Sequence, residues 1–167
     1  MADFHHGEIT RCKVSPPNRL RLTRPRDRQR QRVYAWEERI VAPCDPTALP
    51  FPAAQAMVDA IWSDMGLRYP PKAVPLPRQA FRSIGRADRL PVALAEKTPS
   101  WCLLHELAHA MTSHADGRSD GHGLIFVGIY VCLLERYLRL DMQFLSASLR
   151  EVGIEFIRGV LPVFVDP

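Results

Sequence analysis

The chain has 167 residues, 47% of them hydrophobic, with 22 Lys/Arg against 18 Asp/Glu, 15 prolines and four cysteines. That length and apolar content argue against a disordered protein and are met most simply by one domain with its own core. The sequence carries no signal-type leader, no apolar run of about 18 residues and no C-x-x-C pair. Secretion, a membrane span, a disulfide framework and a cysteine-based zinc site are therefore not expected, and a reduced cytoplasmic setting is.

In chain order, residues 1–25 read as a flexible basic N-terminal arm and residues 26–167 as a single folded domain. Pro16, Pro17 and Pro25 argue against a helix before Arg26. Between Arg11 and Arg39, ten basic residues stand against three acidic ones, while the rest of the chain is net acidic. This excess could meet nucleic acid or another polyanion; the plainer reading is a solvated arm that keeps the protein in solution.

From Arg26 to Val41, the spacing of Val33, Trp36 and Ile40, with Tyr34 as a further member, predicts an amphipathic helix ended by Pro43. A Pro-rich connector follows from Asp45. A second helix is expected from Pro52 to Met65, with Ala56, Met57, Ala60, Ile61 and Met65 inward, Trp62 beside them and Gly66 as the stop. Four prolines between Tyr69 and Pro77 allow only an extended, edge-type segment. Phe81–Ile84 and Leu90–Ala95 are candidate strands of a small antiparallel or mixed sheet, with a turn at Gly85–Asp88.

The third helix, about Pro99 to Ser113, is amphipathic and capped by Thr98 or Ser100. A polar loop over Asp116–Gly121 turns the chain back. A fourth helix is opened by His122 and runs to about Arg139, and Asp141 caps a last helix reaching Val152. Leu161–Val165 is a final strand or an extended tail.

The third helix carries His105-Glu106-Leu-Ala-His109, an H-E-x-x-H pattern. Residues four apart share a helix face, so the two imidazoles can bind one zinc ion at about 2.0–2.1 Å. Glu106 lies roughly 100° further round, placed to act as general base on a water at the metal without being a ligand. Catalytic zinc usually takes a third protein ligand. His122 is the leading candidate: it follows a loop long enough to fold back, and Gly121 and Gly123 allow close backbone approach. Glu135 is the rival, and His114, about 180° from His105, points off the site. The metzincin pattern fails because Thr112 and Ala115 stand where it requires Gly and His. Tyr130, Tyr137 and Arg118 are candidates for stabilising an oxyanion, and the spacing selects none of them.

This block, with His122-Gly-x-x-Phe126 after a short polar loop, resembles the SprT-like zincin proteases over about residues 100–139. Together with Arg32-Val-Tyr-Ala-Trp-Glu37, most of the chain looks like a family of small H-E-x-x-H zincin-like metallohydrolases of actinobacteria and their phages. The resemblance implies His105, His109 and His122 as zinc ligands and Glu106 as the base. Many SprT-like proteins end in a cysteine zinc ribbon, whereas no cysteine follows Cys132 here, which leaves the substrate class open.

The expectation is thus an α+β, zincin-like fold: a small sheet packed on the motif helix, with further helices around it. The expected function is zinc-dependent hydrolysis, of peptide bonds in a peptide or protein substrate. The alternative is a non-catalytic module whose zinc is structural and whose Arg-rich arm binds nucleic acid or a protein partner.

Overall fold

A computed structural model describes residues 27–76, 85–87, 91–114 and 118–163. The arm of residues 1–25 and the strand expected over Phe81–Ile84 lie outside the described residues. Among the described residues, five α-helices accompany a two-stranded and a three-stranded sheet, so the architecture is mixed α and β.

Helix α1 (Arg30–Trp36) continues into a π-helical turn, Glu37–Val41, and a short 3-10 turn, Ala42–Cys44, that contains Pro43. It begins later than the expected Arg26, because Asp27 and Gln29 serve tertiary contacts instead. Asp27 Oδ1 accepts from the Arg30 N–H at 3.2 Å. The buried Gln29 amide donates to the carbonyls of His122 (3.1 Å) and Glu155 (3.2 Å) and accepts from the Glu155 N–H (2.8 Å). Val33 and Trp36 enter the core as their spacing predicts, and the Trp36 indole N–H donates to the Ser148 hydroxyl at 2.9 Å. Glu37 also turns inward, although the sequence pattern places it on the polar face. A π turn adds a residue to the helical repeat and so changes which side chains face the core.

Strand β1 (Ala48–Pro50) lies in the connector and leads into helix α2 (Phe51–Asp64). Strand β2 (Lys72–Pro75) occupies a sheet edge, where its prolines require it to be. Gly85–Ala87 forms strand β3, not the turn expected there. It pairs antiparallel with β4 (Pro91–Leu94), with Gly85 opposite Leu94 and Ala87 opposite Val92, while β2 runs parallel to β4 on its other side. Strand β5 (Lys97–Pro99) pairs antiparallel with β1.

Helix α3 (Ser100–Thr112) carries the H-E-x-x-H pattern. It is not amphipathic in practice: every residue of it except Trp101 and His109 is buried. Helix α4 (Leu124–Leu138) packs along one side and β3, β4 and β5 along another. Leu103, Leu104, Leu107 and Met111 are fully buried, each contributing about 1.5–3 kcal/mol relative to exposure. Neither Thr98 nor Ser100 caps this helix. Thr98 is in β5, its hydroxyl bonded to the Ala95 carbonyl at 3.2 Å. The cap comes from far away in sequence: Asp45 Oδ2 accepts from the Trp101 N–H at 2.9 Å.

Helix α4 begins two residues after His122, because Asp120 Oδ2 accepts from the N–H groups of Ile125 (2.8 Å) and Phe126 (3.0 Å). Helix α5 (Met142–Glu151) is capped by Asp141 as expected, through the Phe144 N–H at 2.7 Å. Residues 161–163 have no regular structure, and the Val163 N–H donates to the Met111 carbonyl at the end of α3. Among the described residues no helix is long and apolar enough to cross a membrane.

Because Asp45 satisfies an otherwise orphaned donor of the central helix, Asp45→Ala is expected to lower stability by about 1–2 kcal/mol. A urea titration reads this as a lower midpoint at unchanged slope; an unchanged midpoint would show that the cap contributes nothing.

Candidate metal centre

His105 and His109 lie one turn apart on α3, their ring centroids 4.8 Å from each other. His122, on the turn before α4, brings its ring to 5.3 Å from His105 and 4.7 Å from His109. One ring nitrogen from each of the three lies within 4.8 Å of the others, close enough to share a metal ion. A tetrahedral ion with ligands at about 2.1 Å holds them roughly 3.4 Å apart, so inward movements of less than about 1 Å per ring would close the group. The rival ligands are elsewhere: Glu135 is exposed on α4, and His114 is exposed beyond the end of α3.

The approach of His122 depends on its neighbours. Gly121 adopts the left-handed conformation, with φ +60°, and a Cβ there would sit 3.0 Å from Asp27 Oδ2. A Cβ on Gly123 would strike the Asp120 carboxylate that caps α4. The turn is therefore closed against two carboxylates, and one of them belongs to the site. Asp27 Oδ2 lies 2.6 Å from His122 Nδ1 and accepts from the His122 N–H at 3.2 Å.

His105 has the same kind of partner. Its Nδ1 lies 2.5 Å from Glu37 Oε1, and both side chains are buried. The Tyr130 hydroxyl, which feels the charge of Glu37, donates to the Trp101 carbonyl at 3.4 Å. A carboxylate on Nδ1 fixes the ring and the tautomer, leaving Nε2 with its lone pair free for a metal. His122 Nε2 fits that assignment: it is buried and has no hydrogen-bond partner among the described residues. An orphaned buried nitrogen is costly, and a metal ion would satisfy it. Three neutral imidazoles suit zinc and also copper, iron and nickel.

The floor of the site is Phe126, fully buried and stacked on His109 with 4.2 Å between centroids. Its roof is Tyr34, which sequence reasoning takes for a possible core residue. The Tyr34 ring stacks on His105 at 5.6 Å and meets His122 edge-on at 4.9 Å, yet remains 38% exposed. Asp27, Arg30, Tyr34 and Glu37 recur at intervals of three, four and three residues, one helical face. That spacing was a signal in the sequence, hidden because an arginine-rich stretch reads as a solvated surface.

Burial pushes the His109 pKa well down, helped by the charges of His105, His122 and Arg30. Burial also lowers His122, against the opposing pull of Asp27. His105 is lowered by burial but raised more by Glu37, through its hydrogen bond and its charge, so its pKa ends above the ordinary value. Burial pushes the Tyr130 hydroxyl well up, and Glu37 adds to this. Glu106 is buried next to His105 in sequence, and its charge is felt at His105, Tyr34 and Cys102.

Of the three residues considered for an oxyanion, Tyr130 is fully buried behind His105, with its hydroxyl engaged as described. Tyr137 is bonded to Asp64 at 2.5 Å, and Arg118 is exposed. Cys44, Cys102 and Cys132 are free thiols; Cys102 is buried and Cys132 partly so. A comparison with protein-family models, curated proteins and solved structures finds no match to this chain.

If the two carboxylates orient the ligands, Glu37→Gln and Asp27→Asn should each weaken metal affinity about 10–100-fold, as removal of such outer partners does elsewhere. Competition against a chromophoric chelator measures this, and wild-type affinity in both would exclude the role. A second expectation concerns the metal-free protein. A His109 pKa below its unfolded value of about 6.5 means the unfolded chain binds more protons as pH falls through that range. Its contribution is therefore present above about pH 6.5 and lost below it. Urea midpoints at pH 7.5 and 5.5 should fall further for wild type than for His109→Gln; equal falls would refute it.

Proposed function

We propose that the protein is a zinc-dependent metallohydrolase of zincin-like fold, and specifically a metallopeptidase. The observation that carries this reading is the ligand group itself: three histidines with one side open. Structural zinc sites fill all four positions with protein ligands, whereas catalytic ones use three. Among the described residues the metal-competent group holds three, and His109 is the one left partly exposed. The alternative of a purely structural zinc has no fourth ligand to support it among those residues.

A bound zinc ion would supply Lewis acidity, polarising a carbonyl and lowering the pKa of a water to about 7. The chain's own residues do the rest. His105, His109 and His122 hold the ion, with Glu37 and Asp27 fixing two of the rings. Glu106 takes the proton of the attacking water and passes it to the leaving amine. The placement of Glu106 one residue after the first histidine is the arrangement that the resemblance to SprT-like proteases implies, and it supports the same roles here. A peptide or protein substrate in the cytoplasm completes this reading.

Glu106→Gln should retain one zinc per chain and an unchanged urea midpoint while losing at least about 100-fold in peptide hydrolysis, the usual worth of a general base. Metal content and cleavage of a peptide library are measured on the same preparations. Undiminished cleavage would remove Glu106 from the mechanism; zinc-free wild type would remove the enzyme reading itself.

A further inference from the structure

The direction from which a substrate reaches the histidines is set by what leaves one of them open. His105 and His122 are each 4% exposed, while His109 is less buried. Arg30 and Tyr34, one turn apart on α1, stand at this group. The Arg30 guanidinium lies over the Tyr34 ring, 5.5 Å from its centroid. Its positive charge is felt at His109, the open ligand. Arg30 is exposed, and among the described residues no carboxylate forms an ion pair with its guanidinium. Arg32, on the same helix, differs in being spent on the Gly153 carbonyl at 2.6 Å. An arginine set over the ring that roofs a metal-competent site, with no acidic partner among the described residues, has a fork of donors to offer a ligand.

We propose that Arg30, steadied by Tyr34, recognises a carboxylate on the substrate, so that the site takes peptides carrying a negative charge next to the bond to be cut. This rests on the metallopeptidase reading and deepens it. The planar guanidinium matches a carboxylate through two parallel hydrogen bonds, which an ammonium cannot do. Stacking on the Tyr34 ring restricts the long Arg30 side chain and so reduces the ordering that binding must impose. The carboxylate could be a peptide's C-terminus or an Asp or Glu side chain.

The test uses zinc-loaded Glu106→Gln protein, so that ligands bind without being consumed, and four acetylated tripeptides measured by calorimetric titration. Ala-Ala-Ala with a free C-terminus carries a terminal carboxylate. Amidated Ala-Glu-Ala carries a side-chain one, amidated Ala-Gln-Ala is neutral, and amidated Ala-Lys-Ala is positive. At least one acidic peptide should bind about fivefold or more tighter than the neutral one, the range for a partly exposed charged pair. Which of the two binds tells the chain end from the side chain. Arg30→Glu should abolish that preference and favour the lysine peptide, a reversal that contact between a carboxylate and zinc cannot produce. Tyr34→Ala should reduce the preference, and Tyr34→Phe, which keeps the ring, should retain most of it.

An acidic preference that survives Arg30→Glu, or no preference in the protein with Arg30 intact, overturns the proposal. Zinc content is measured first on every variant. Absence of zinc from the Arg30 protein overturns the metallopeptidase reading and this one with it. With one zinc per chain present, the peptide series judges carboxylate recognition alone.

Discussion

The contact between Glu37 and His105 Nδ1, 2.5 Å long and almost wholly out of solvent, is the constraint around which the described structure is arranged. A carboxylate buried to 2% exposure is tolerated only with charged or hydrogen-bonding partners, and Glu37 has one in His105. Satisfying it requires the end of α1 to lie against α3, and that in turn brings Tyr34 over the histidine rings. Asp27, three residues before the same short helix, repeats the device at His122. One helix thus aims two rings from outside while the motif helix supplies the other constraints from within.

The burial of α3 on nearly every side matters for the same reason. Ligands on a loop can drift; ligands on a helix packed by α4 and by the strands keep their spacing to within the play of their own rotamers. The apolar residues between the histidines, Leu107 and Ala108, are fully buried, so α3 cannot rotate without opening the core. The fixed spacing of His105 and His109 and the stability of the fold draw on the same side chains.

What the sequence made legible follows from the range of the interactions involved. The histidine pair and the Asp141 cap are local patterns, written in nearest-neighbour spacing; the inward face of α2 is not, for of the expected stripe only Ile61 is buried, while Ala56 and Ala60 are exposed and Ala54, Val58 and Trp62 enter the core instead. His122 was readable because flanking glycines mark a close approach. Asp27, Glu37 and Asp45 are not readable, because they acquire their roles from partners 95, 68 and 56 residues away respectively. Tyr34 was misread for a related reason: aromatic residues at helical spacing ordinarily mean core, and only the tertiary fold reveals that its ring meets two imidazoles. At Gly85–Ala87 the glycine and flanking polar residues signal a turn, and pairing with β4 overrides that tendency.

Gln29 has a further consequence for how the molecule comes into being. Its side chain joins the backbone at His122 and at Glu155, contacts that span 93 and 126 positions of the chain. Contacts of such separation form late and slowly, since the entropy of closing the loop is spent before they stabilise anything. Because Asp27 is two residues away from Gln29, the orientation of His122 waits on the same event. On a ribosome, then, the three histidines would not be held together until the region around Glu155, more than a hundred residues after Gln29, had emerged.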